Sequence, residues 1–148
     1  MDQNILPTHD RLQKTIEAIR IRGVTVTLVE KKESALTQLQ ALIPAGATVM
    51  TGASITLQQI GFTALLMGKK HPWRNFKDEI LAEKDPAKQA ALRKQGTLAD
   101  YFLGSVHAIA ETGEILTARA TGSQLPAYAF SSRHVIWVAG TQKITPTL

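Results

Sequence analysis

Ala47-Thr48-Val49-Met50-Thr51-Gly52-Ala53-Ser54-Ile55-Thr56-Leu57 decides the fold. A β-branched run passes through a glycine and a hydroxyl residue into an apolar pattern of helical period, so a strand here hands the chain directly to a helix start. Gly52 lets the backbone come close to a ligand, Ser54 and Thr56 offer hydroxyls, and the unpaired N–H groups of a helix start attract negative charge. An anion site at this turn is the leading expectation. The plainer reading of the same residues is an N-cap, in which Ser54 satisfies the helix backbone and nothing more.

Upstream, Leu12, Ile16 and Ile19 recur at helical spacing between Thr8 and Arg22, and Gly23 supplies a stop. Val24-Thr25-Val26-Thr27-Leu28-Val29 is β-branched and reads as a strand. Ala35, Leu36, Leu39 and Leu42 mark an amphipathic helix over 33–43, ended by Pro44 and Gly46. After the 47–50 strand the pattern predicts a helix over 56–67. Two strands, each followed by a helix and neither closed by a tight hairpin, imply right-handed crossovers and a mostly parallel sheet.

Downstream, His71-Pro72-Trp73-Arg74-Asn75-Phe76 interrupts the pattern, and a charged helical tract follows over 77–94 with a break at Pro86. That excursion reads either as a lid or as a surface helix anchored by two aromatics. Residues 99–103 and 106–110 form short β-like runs, and Glu111-Thr112-Gly113-Glu114 is a turn from which 115–117 pairs back as a hairpin. Thr121-Gly122-Ser123-Gln124 repeats the hydroxyl-and-glycine opening before an apolar helical stretch over 125–130. His134-Val135-Ile136-Trp137-Val138-Ala139-Gly140 is nearly continuous in apolar character, as a strand covered on both faces is. Such a strand expects a helix after it, so either a second subunit covers it or the chain has been shortened.

The 148 residues, 44% of them hydrophobic, suit one globular domain over 1–148 with a real core. The sequence holds no cysteine, which removes disulfides, thiolate metal ligands and thiol nucleophiles. Electron transfer by the chain unaided is therefore not expected. No stretch approaches the roughly 18 apolar residues of a membrane span and the start is not basic, so the expectation is a soluble cytoplasmic protein without a membrane partner. A net charge of +5, from 17 basic and 12 acidic residues, raises nucleic acid as a partner. The distribution argues against it: Lys31-Lys32, Lys69-Lys70 and Arg93-Lys94 are mixed with Glu30, Glu33, Asp78 and Glu79, and no aromatics interleave with them.

In an open α/β sheet ligands bind beyond the carboxyl ends of the strands. The expected lining is Gly52, Ser54 and Thr56 from one turn and Thr121, Gly122, Ser123 and Gln124 from another, with His107 from the segment between them. Lys143, after the last strand, adds a charge if its loop folds toward the crevice; otherwise it is a solvated lysine. Asp100 lies between apolar neighbours at a strand start, where burial would raise its pKa and suit it to general acid–base work. As a plain alternative it caps a strand. His107 is either a proton-exchanging group or a hydrogen-bonded strand histidine. His9, His71, His107 and His134 are scattered without ligand spacing, so no metal and no other cofactor is expected.

Three blocks resemble the lactate-utilisation, or LUD, domain family, whose fold is similar to the ribose-5-phosphate isomerase and CoA-transferase group. They are the 51–61 segment, the Ala99-Asp100-Tyr101-Phe102-Leu103-Gly104-Ser105-Val106-His107-Ala108-Ile109 segment with its Thr112-Gly113-Glu114 turn, and Ala120-Thr121-Gly122-Ser123-Gln124 leading to Val138-Ala139-Gly140-Thr141-Gln142-Lys143-Ile144. His107 stands where many relatives carry asparagine, and Ser123-Gln124 where some carry Asn-Arg. The resemblance implies a three-layer, Rossmann-like α/β domain: a mostly parallel sheet, helices on both faces and a small β-hairpin excursion. Many relatives continue with a further helix, so the expectation is a domain lacking its closing C-terminal helix.

The same resemblance implies a role in organic-acid (lactate) utilisation. The partners it suggests are an anionic small molecule (a carboxylate, phosphate or nucleotide), an iron–sulfur oxidoreductase, and a second copy of the chain. Two other functions stand beside it: a stand-alone sugar-phosphate isomerase or transferase using Asp100 or Glu111, and a non-catalytic assembly module whose turns are only caps.

Overall fold

The computed structural model describes residues 6–148. In chain order the elements are α1 (His9–Ile21), α2 (Lys32–Leu42), β1 (Thr48–Thr51), α3 (Ile55–Gln59), α4 (Phe62–Met67), β2 (Arg74–Asn75), α5 (Phe76–Ala82), α6 (Pro86–Gln95), β3 (Tyr101–Gly104), β4 (Ala108–Ala110), β5 (Ile115–Leu116), β6 (His134–Trp137) and β7 (Ile144–Thr145). A π-helical turn, Ala127–Ser131, precedes β6. The elements gather into two compact units. The first comprises the described residues through Glu30 with Val106–Ala118 and Ala139–Leu148; the second comprises Lys31–Ser105 and Arg119–Val138.

The second unit is the α/β body expected from the sequence. Its sheet has the order β2-β1-β3-β6, and every ladder is parallel. The strands being parallel, their carboxyl ends at Thr51, Gly104 and Trp137 line up at one edge. Side chains alternate across the sheet. Val49, Leu103 and Ile136 point to one face, where they pack with Leu39 of α2, Leu57 of α3 and Phe62 and Leu66 of α4. Val49, Phe62 and Leu103 are fully inaccessible there. Trp73 closes this core: its ring lies 5.7 Å from that of Phe62 and its indole N–H donates to the Ile43 carbonyl at 3.0 Å. The opposite face carries Met50, Phe102, Val135 and Trp137, covered in part by α5 and the 124–131 segment.

The first unit combines α1 with a three-stranded sheet of order β5-β4-β7, in which β4 and β5 form the expected antiparallel hairpin and β7 runs parallel to β4. Thr8 caps α1 by accepting from Arg11 N. Gly113, at φ +94°, lies against the Ala18 backbone, where a side chain would not fit. Arg11 reaches Glu111 at 2.5 Å, and Arg22 holds the Thr112 carbonyl and Glu114.

Three local expectations change. The 24–29 run is not a strand: it has no ladder partner, and Val24 and Leu28 are exposed. β-branched composition favours a pleated surface only where a neighbouring strand completes it. The single helix expected over 56–67 is two short helices, because Gly61 adopts φ +83° between them. The 134–140 run forms a strand only over His134–Trp137, at the sheet edge, with half-buried side chains from Val135 onward. Beyond expectation, Arg74-Asn75 adds a two-residue edge strand beside β1. Pro86 opens α6 behind an Asp85 cap, which explains the break in the charged tract. Among the described residues no helix is long and apolar enough to cross a membrane.

Gly61→Ala tests the break between α3 and α4. The only neighbour of an added methyl is Leu36 Cδ2 at 3.7 Å, an ordinary contact, so the penalty is conformational. The left-handed backbone predicts a loss of roughly 1–2 kcal/mol. Urea unfolding should show a lower midpoint with an unchanged m value.

Candidate functional site

The carboxyl end of the second unit's sheet carries a linked polar arrangement. β1 runs into Gly52, whose N–H donates to the Leu103 carbonyl at 3.1 Å and so extends the ladder by one residue. Gly52 and Gly104 fall on the same sheet face as Met50 and Phe102. A methyl group at Gly52 would overlap the Gln124 side chain, and one at Gly104 would overlap the Tyr128 hydroxyl. Gln124 and Tyr128 are one helical turn apart, joined by a Tyr128 N to Gln124 O bond of 3.2 Å. The two glycines therefore form a shelf on which that turn lies.

A polar chain runs along the shelf. Gln124, 8% exposed, accepts at Oε1 from Arg119 Nε at 3.0 Å and from the Tyr128 hydroxyl at 3.2 Å. Arg119 Nη2 donates to the Ala53 carbonyl. One guanidinium thus ties the β1 turn to the 119–124 turn. Burial pushes the Tyr128 phenol above its ordinary value, while the neighbouring Arg119 charge pulls the other way without reversing it. Phe102 and Trp137 meet the Tyr128 ring edge-on, each with centroids 5.5 Å away.

The residues expected from sequence are placed as follows. Gly52 and Gln124 come together directly. Ser54 caps α3 by accepting from Leu57 N at 3.2 Å. The helix it opens has only five residues, so its dipole is small. Thr56 lies 3.2 Å from the Ser105 hydroxyl, and Thr121 donates to Ser123 at 3.1 Å. Gly122 turns the chain at φ +65°. Asp100 sits at the amino end of β3, the opposite end of the sheet from Gly52. Its carboxylate accepts from Thr48 N at 2.9 Å, and its carbonyl accepts from His134 N at 2.8 Å.

Two residues belong to the first unit. His107 is exposed and its Nδ1 accepts from Ala118 N at 3.2 Å; Lys143 Nζ donates to the Val106 carbonyl at 2.7 Å. Partial burial lowers the Lys143 ammonium below the usual lysine range. Among the described residues no three histidine or acidic side chains gather as metal ligands.

Sequence reasoning missed Arg119, Tyr128, Gly104 and Trp137 as site residues. A signal did exist for Tyr128, which follows Gln124 by four residues and so shares its helical face. Arg119 carried none, since a basic residue before a turn is ordinary.

A mostly parallel sheet flanked by helices, with its polar network at the strands' carboxyl ends, defines a Rossmann-like α/β protein. The chain belongs to the LUD domain family, whose model it matches over residues 12–148. No curated protein and no solved structure matched the chain.

Two measurements check the shelf. Gly104→Ala displaces the Tyr128 hydroxyl and should lower stability by about 1–3 kcal/mol. Adding Tyr128→Phe, which removes the overlapping oxygen, should recover part of that loss, whereas additive effects would separate the two residues. In Tyr101→Phe protein, absorbance at 295 nm should report Tyr128 ionising above its ordinary value of 10.0. Because the folded pKa is the higher one, the stability linked to the neutral phenol is complete below the unfolded pKa and declines as pH rises through the folded value.

Proposed function

We propose that this LUD domain serves organic-acid (lactate) utilisation by binding a small anionic molecule beyond the carboxyl ends of β1 and β3, with Arg119 as the charged anchor. One observation carries this reading: Arg119 is half-exposed, yet fixed through Nε to buried Gln124 and through Nη2 to Ala53 O, which leaves further guanidinium N–H groups for an acceptor. A partly exposed cation held by the protein with N–H groups to spare suits carboxylate recognition. Thr56 and Ser105, and Thr121 and Ser123, supply hydroxyls on the turns at the same end of the sheet. Asp100, at the other end, serves in this proposal to hold β1 and β3 in register. The 148 residues contain no cysteine, so the reading assigns any electron transfer to an iron–sulfur partner.

A second reading, a non-catalytic assembly module, draws on a specific observation as well. Gly52 and Gly104 admit the chain's own Gln124 and Tyr128, and Ser54 already caps a helix. The shelf is then simply a packing device.

A thermal-shift screen against lactate, pyruvate, sugar phosphates and nucleotides separates the two, run on the native sequence and on Arg119→Gln. A ligand at about 100 times its Kd adds roughly 2.7 kcal/mol, a rise of several degrees for a chain of this size. A rise lost in Arg119→Gln supports the anion site. A rise that survives the substitution removes Arg119 from the site, and no rise with any compound leaves the assembly reading.

A further inference from the structure

Val24-Thr25-Val26-Thr27-Leu28-Val29 has the composition of a strand, yet it joins no ladder of the first unit. Among the described residues its backbone makes no hydrogen bond to other backbone, and its one held group is the Val26 carbonyl, which accepts from Arg20 Nη2 at 3.3 Å. A groove of ≈ 420 Å³ is lined by Arg20, Gly23, Val24, Thr25 and Val26. Ile21, Val24 and Leu28 are 78%, 39% and 50% exposed, so large apolar side chains face water along the whole stretch. Unpaired N–H and C=O groups on a strand-forming segment are a template for another strand, and 24–29 holds neither a proline nor a charge to prevent pairing.

We propose that 24–29 is a homodimer interface, at which the segment pairs antiparallel with 24–29 of a second copy about a two-fold axis at Val26. The sequence is complementary to itself in this register. Val24 opposes Leu28 and Thr25 opposes Thr27, apolar to apolar and hydroxyl to hydroxyl, whereas a shift of one residue mixes the two kinds. The one held carbonyl agrees with it. Along a strand the N–H and C=O of successive residues point to alternate sides, so with the Val26 carbonyl turned to Arg20 those of Thr25 and Thr27 face outward. Thr25 and Thr27 then form the hydrogen-bonded pairs, and Val26 meets its copy as a non-hydrogen-bonded pair, with Cα atoms about 4.5 Å apart.

Charge selects the direction. Parallel alignment would set Arg20 and Arg22 against the same two residues of the second copy. Antiparallel alignment sets them beside the 30–33 flank, where Glu30 and Glu33 balance Lys31 and Lys32. Antiparallel pairing about a two-fold axis also closes at two copies.

Sedimentation equilibrium of the native sequence from micromolar to millimolar concentration should show the mass rising from 16.1 kDa to twice that value. Thr27→Pro removes an outward N–H that has no backbone partner among the described residues, and should weaken association by roughly tenfold or more. Leu28→Lys should weaken it through the apolar pair. Because the chain has no cysteine, single cysteines report the register. Val26→Cys should oxidise to a disulfide-linked dimer, whereas Thr25→Cys and Thr27→Cys should cross-link when mixed and not alone. In the native sequence, amide exchange at Thr25 and Thr27 should slow as concentration rises, a readout that depends on no variant. A chain that stays monomeric at millimolar concentration overturns the inference. So does a dimer whose Thr25 and Thr27 amides exchange as fast as in the monomer, or one that cross-links alike through Val24→Cys, Val26→Cys and Leu28→Cys, as parallel pairing would.

Discussion

With no Cβ at Gly52 or Gly104, the second unit's sheet is flat at the carboxyl ends of β1 and β3, and one turn of the 124–128 segment lies directly on it. That seat fixes the rest of the site. Gln124 over Gly52 is buried, so its carbonyl oxygen needs donors, and Arg119 and Tyr128 provide them. Tyr128 over Gly104 places its ring between Phe102 and Trp137. A side chain at either glycine would move the turn and with it the guanidinium, the phenol and the indole environment. The glycines here thus work differently from those of a phosphate-binding loop: they admit the protein's own side chains.

The segments with strong local signals were legible in the sequence. The Thr8 cap and Gly23 stop bound α1, Pro44 and Gly46 end the second helix, and Pro86 divides the charged tract where a proline at the first helical position belongs. The 111–114 turn gave its hairpin. Where pairing rather than composition decides, the reading failed. Val24–Val29 has strand composition and no partner, and Arg74-Asn75 has little strand character and pairs with β1. Ladder partners come from distant chain segments, which periodicity within a window cannot see.

The site was legible in outline for the same reason. Gly52 and Gln124 were named as separate contributors to a crevice, and their direct contact could not be foreseen because it joins residues 72 positions apart. Asp100 drew attention by its apolar neighbours, but those neighbours reflect its place at the start of a buried strand. Its carboxylate meets the Thr48 N–H and its backbone meets His134, so it links three parallel strands at their amino ends. The sheet therefore has two polar ends with different work: one secures strand register, and the other carries Arg119, Gln124, Tyr128 and Trp137.

Arginine suits position 119 in a way lysine would not. Its planar group donates from Nε to Gln124 and from Nη2 to Ala53 while still carrying N–H groups directed away from both. A lysine ammonium is a single point of charge on a flexible stem. Spent on the Ala53 carbonyl it would leave Gln124 short of a donor, and turned toward an anion it would release the β1 turn. The planar group removes that conflict, because its five N–H donors are more than the two structural bonds use. The guanidinium is thus held in position by the protein itself, and under the proposed anion-binding role little side-chain freedom would remain to be lost on binding.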